Sequence, residues 1–165
     1  MAALARLLTR VALGTIWIDR LRVPQVRGLL VAAARLVVPS YGDDLVDGDR
    51  GDAANDYARP LGRAITRAQK KALALLADDL EAMNGPTLAE IEALVGAVRR
   101  TELRVAFLLT GDMLAAVDEL HALPAARGPV ALTTVLTHPL AGDAFRFALT
   151  ARATALRREL GTLWS

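Results

Sequence analysis

Six aspartates fall between residues 43 and 56: Asp43, Asp44, Asp47, Asp49, Asp52 and Asp56. Carboxylate oxygens are the ligands that hard divalent cations prefer, so this is the stretch with most metal-binding potential. Asp43, Asp44 and Asp47 fit an Asp-Asp-x-x-Asp pattern. On a helix, Asp43 and Asp47 would share a face. They could then hold Mg²⁺ while a substrate diphosphate completes its shell. Gly42 and Gly48 bracket only five residues, however, and each glycine costs a helix about 1 kcal/mol. No second motif of this kind follows, because Asp78-Asp79-Leu80-Glu81 lacks the final aspartate. A calcium loop read from Asp47 fails as well, with Asp52 where a glycine is required and Ala58 where a glutamate is required. These departures favour a solvated acidic connector.

Other candidate chemistry is sparse. His121 and His138 are the two histidines, and they are not spaced as a metal pair. Cysteine is absent, which removes disulfides, thiol nucleophiles and thiolate metal sites. No P-loop, nucleophile elbow or dinucleotide fingerprint is present. Glu102 is the odd residue of the second half. It interrupts an apolar row formed by Val95, Val98, Val105 and Leu109, where a carboxylate must be paired or lose several kcal/mol to desolvation. Arg99, one turn earlier, is a local partner, and Arg104 with Asp112 suggests a second pair. A structural polar network of Arg99, Glu102, Arg104 and Asp112 is therefore expected, without a catalytic residue.

The elements that carry these residues read as helices throughout. The chain has 165 residues, enough for one domain. It is 53% apolar but only 4% aromatic, a composition suited to a Leu, Val and Ala core between helices. Ala2 to Asp19 has Leu4, Leu7, Leu8 and Val11 at helical spacing, with Arg6 and Arg10 on another face, and reads as an amphipathic helix. Pro24 opens a nearly all-apolar helix to about Val38, and Pro39 ends it. A short helix spans Ala53 to Ile65, entered or kinked at Pro60. Thr66 with Gln69 and Thr87 with Glu90 form capping boxes that open helices to Met83 and to about Leu109. Gly111 breaks the second of these, and Asp112 caps a helix to Leu123. Pro129 to Thr137, Pro139 to Leu149 and Ala151 to Leu160 read as three short helices. No alternating strand pattern and no repeat of solenoid length occurs.

Charge excludes some partners. The net charge of +2 gives no nucleic-acid footprint. Arg6, Arg10, Arg27 and Arg35 interrupt the apolar N-terminal segments, so no membrane span is expected. The first helix could touch an anionic membrane surface through its arginines, a reading ranked behind a protein partner. The expected location is the cytoplasm.

Two resemblances add to this reading. The residues after Asp47, Gly48-Asp49-Arg50-Gly51, look like the stretch following the first aspartate-rich motif of isoprenyl diphosphate synthases. A broader likeness rests on Leu29 to Pro39, on Thr101 to Asp112 followed by Ala115-Ala116, and on Gly142 to Thr150 with Ala155 to Gly161. Together these resemble the C-terminal helical region of large bacterial tetratricopeptide-repeat proteins that carry a degenerate zinc-peptidase-like segment. That resemblance implies a helical accessory region of a longer chain and transfers no catalytic residue.

The expectation is an all-α, single-domain irregular bundle of about eight helices. It comprises an N-terminal helical pair over 1–39, an acidic loop over 40–52 and a main bundle over 53–165. It needs no cofactor. It acts as a non-catalytic accessory or protein-interaction module whose partner is another protein or neighbouring domains, with room for an oligomer. The alternative is an Mg²⁺-dependent diphosphate-handling enzyme using Asp43, Asp44 and Asp47.

Overall fold

A computed structural model describes residues 1–18, 20–43, 53–83, 85–118 and 137–163. Among them it is all-α. The helices are α1 (Ala2–Leu13), α2 (Val23–Ala34), α3 (Ala53–Ala64), α4 (Arg67–Ala74), α5 (Ala77–Ala82), α6 (Leu88–Thr110), α7 (Met113–Asp118), α8 (Pro139–Ala148) and α9 (Ala151–Glu159). None of them is long and apolar enough to cross a membrane. The chain forms two compact units, Met1–Ile16 with Gly96–Ser165, and Trp17–Val95. The helices of the expected 1–39 pair thus fall in different units.

Local chemistry explains most helix ends. Thr66 Oγ1 accepts from the Gln69 N–H at 3.2 Å, and Gln69 Oε1 accepts from the Thr66 N–H at 2.9 Å. This reciprocal box satisfies two donors at the start of α4. Thr66→Ala is expected to remove about 1 kcal/mol of stability, read from urea unfolding, whereas Thr66→Ser retains most of it. The second box stands at α6, where Thr87 Oγ1 accepts from the Glu90 N–H at 3.3 Å. The Thr87 N–H returns a 2.8 Å bond to Glu90 Oε2. Bonds from the Thr87 backbone and hydroxyl hold the Glu90 carboxyl below its ordinary range. With its folded pKa depressed, this box contributes fully above the unfolded-chain carboxyl pKa and is lost as pH falls through the folded value.

Some ends differ from the periodicity. The first helix stops at Leu13, with Gly14 in the left-handed region, instead of reaching Asp19. The apolar second helix stops at Ala34, and 3₁₀-type bonds from Leu36 to Ala33 and from Val37 to Ala34 carry the chain towards Pro39. The run from Arg67 to Met83 is two helices. Leu75 and Leu76 bond back to Ala72 and Leu73, one residue tighter than an α-helix, and this turn divides α4 from α5. No glycine or proline marks it. His138 caps α8, its Nδ1 accepting from the Ala141 N–H at 3.3 Å. Thr150 Oγ1 caps α9 through the Ala153 N–H at 3.1 Å.

Each unit has its own core. In the 17–95 unit, α2 packs on α3. Its buried cluster is Val31, Ala32, Ala34, Val38, Tyr41 and Ala54, against which Tyr57, Leu61 and Leu80 lie. In the other unit, α1 packs on α7, α7 on α8 and α8 on α9. Ala2, Ala5, Ala106, Ala116 and Ala153 surround Phe107 there. Contacts between alanines bring backbones close, and Phe107 supplies the one large buried surface of that cluster.

Candidate functional site

Glu102 is completely buried, the one charged side chain of the described residues in that state. Its site is built from α6 and α1. Arg10 Nε donates to Glu102 Oε1 at 2.9 Å, and Arg6 Nη2 stands 3.8 Å from Oε2. Arg6 and Arg10 are one turn apart, so one face of α1 presents both guanidinium groups to one carboxylate. The buried positions of α1 are otherwise small: Ala2, Ala5 and Thr9. Thr9 satisfies its hydroxyl locally by donating to the Ala5 carbonyl at 2.8 Å.

This packing turns α1 the opposite way from an ordinary amphipathic helix. Its arginine face points inward and its leucine row points out. Leu4, Leu7, Leu8 and Val11 are 50%, 47%, 55% and 60% exposed. The physical reason is Glu102. A buried carboxylate without a counter-charge is far more costly than an exposed leucine, so the helix orients to supply the charge.

The expected polar network is resolved into separate pieces. Arg104 makes a bidentate pair with Asp143 on α8, at 3.1 Å from Nε and 2.9 Å from Nη2, and its guanidinium lies 5.1 Å from the centre of the Phe147 ring. Asp112 caps α7, its Oδ1 accepting from the Ala115 N–H at 2.9 Å. Arg99 lies half-buried on α6, one turn before Glu102. Arg6, Arg10 and Asp143 were not foreseeable as partners from spacing, because 92 residues separate Arg10 from Glu102 and 39 separate Arg104 from Asp143.

Of the Asp-Asp-x-x-Asp motif, only Asp43 lies within the described residues; Asp44 and Asp47 lie outside them. Gly42 takes φ 70°, a left-handed conformation that interrupts any helix running into Asp43. The Asp43 carboxylate accepts from Arg35 Nη2 at 3.1 Å, and Arg35 Nε donates to the Tyr41 carbonyl at 2.9 Å. Arg35 thereby clamps the turn that begins the connector. No group of three metal-ligating side chains occurs among the described residues. His121 lies outside them, and the His138 ring is engaged as the cap of α8.

No protein-family model, curated protein or solved structure matches the chain. The fold and geometry define the class, an all-α irregular helical bundle.

Proposed function

We propose that this chain is a non-catalytic helical interaction module that works as part of a larger protein or assembly. The observation that carries the reading is the outward row of Leu4, Leu7, Leu8 and Val11 on α1. Contiguous exposed apolar side chains at helical spacing mark an interaction face. The row stands on a helix anchored from its other side by arginines paired with the buried Glu102, so it cannot fold inward without unpairing that carboxylate. The partner surface that fits is an apolar helix face, supplied by another protein or by a neighbouring domain of a longer chain. The sequence resemblance to the C-terminal helical region of tetratricopeptide-repeat proteins points the same way, since it implies an accessory region of a longer chain.

The test uses the full chain. In sedimentation velocity the wild type is expected to associate reversibly as concentration rises, and to bind an apolar dye. Leu4→Lys combined with Leu8→Lys should give a monomer with unchanged far-ultraviolet circular dichroism and little dye binding. A wild-type chain that stays monomeric at millimolar concentration and ignores the dye would overturn the reading. Mg²⁺ with pyrophosphate is expected to leave the thermal midpoint unmoved. A clear rise that Asp43→Ala and Asp47→Ala abolish would instead establish the diphosphate-handling alternative.

A further inference from the structure

A cavity of about 440 Å³ lies within the 17–95 unit, bounded by α2, α4, α5 and the first turns of α6. That volume is within the range of small-molecule sites. Leu30, Leu73, Leu80 and Ile91 give it apolar walls. Among the described residues its polar side chains are two, the Tyr41 phenol and the Glu90 carboxylate, and no Lys, Arg or His lines it.

These two groups are prepared for one kind of ligand. Glu90 Oε2 accepts both the Thr87 N–H at 2.8 Å and the Thr87 hydroxyl at 2.9 Å. Those bonds hold the Oε2 side of a carboxylate that lines the cavity. They also hold the carboxyl ionised, by lowering its pKa. Tyr41 is buried, and its phenol is pushed up by that burial and by the nearby Glu90 carboxylate, so it remains a neutral O–H beside a negative charge. An aromatic ring and a carboxylate in the lining of an apolar cavity are complementary to a cation on a hydrocarbon body. The nearby Arg35 is committed to the Tyr41 carbonyl and Asp43 and does not line the cavity. An anionic lipid or a phosphate would meet only the carboxylate.

We infer that this cavity binds an apolar molecule carrying a single positive charge, of the class of long-chain amines and alkylammonium ions, with its head at Glu90 and its chain among the leucines. The site is independent of the α1 face. Isothermal titration of the full chain at neutral pH, with each probe below its micelle concentration, tests it. Decyltrimethylammonium is expected to bind at least about tenfold more tightly than decanoate, the scale of one charge-matched contact, with decanol between them. Glu90→Gln retains an acceptor for Thr87 and should bring the cation down to the affinity of decanol. Ala33→Phe, which fills the cavity from α2, should weaken all three probes while circular dichroism stays unchanged. The inference is overturned if decanoate binds as tightly as the cation, if none of the probes binds, or if the cation preference survives in Glu90→Gln. Should Ala33→Phe fail to fold, the Glu90→Gln comparison decides alone.

Discussion

Arg10→Met is expected to lower the unfolding free energy by about 3 kcal/mol, because it leaves a buried carboxylate without its hydrogen-bonded counter-charge. Glu102 is wholly inaccessible and Arg10 nearly so, with side-chain exposures of 0% and 16%. Arg6, at 3.8 Å, retains part of the attraction but makes a longer contact than Arg10 does. The expected loss is therefore at the lower end of what breaking a buried pair costs. Removing all three charged groups separates two explanations. The triple variant Arg6→Met, Arg10→Met, Glu102→Leu should return to within about 1 kcal/mol of the wild type, since an apolar cluster of similar volume needs no desolvated charge. Urea unfolding followed by circular dichroism measures all three proteins. The loss in Arg10→Met should also be almost the same at low and high salt, because buried pairs are weakly screened. A single variant that loses less than about 1 kcal/mol would show that Arg10 is incidental to the burial of Glu102.

The Glu102 site also shows where the sequence is informative and where it is silent. A carboxylate in an apolar row demands a partner, and that demand is legible from periodicity. The identity of the partner is not, because Arg99 is near along the helix whereas Arg10 lies 92 residues away. The same non-local pairing reverses the orientation of α1, which its own sequence presents as a helix with an apolar face to bury. Features that depend on three or four consecutive residues fare better. The boxes at Thr66 and Thr87, the glycine break at 111 and the Asp112 cap all stand where the spacing puts them. The division of α4 from α5 at Leu75 and Leu76 has no glycine or proline to mark it in the sequence. The cavity is likewise invisible in sequence, because its walls come from four helices.

Gly111→Ala is the second substitution with a large expected effect, about 2–3 kcal/mol, and its origin can be divided by experiment. Gly111 has φ 71°, a left-handed conformation that costs a residue with a side chain about 1–2 kcal/mol. A Cβ added there would stand 2.5 Å from Arg157 Nη2, so the guanidinium must move. That group is already committed. Its Nη2 donates to the Thr162 carbonyl, at 2.6 Å, and it lies over the Phe107 ring, 5.2 Å from the centroid. Thr162 Oγ1 in turn donates to the Leu108 carbonyl in the last turn of α6, at 2.7 Å. Displacing Arg157 would loosen the connection between the end of α9 and the end of α6, within one unit. Gly14, with φ 66° and nothing within 4 Å of an added Cβ, provides the control. Gly14→Ala should show the backbone cost alone, about 1 kcal/mol. The excess in Gly111→Ala is then the price of moving Arg157. In an Arg157→Ala background, where no guanidinium remains to collide, Gly111→Ala should cost no more than Gly14→Ala does in the wild type. Equal losses for the two glycine variants in the wild-type chain would show that Arg157 yields freely and that its contacts do not couple α9 to α6.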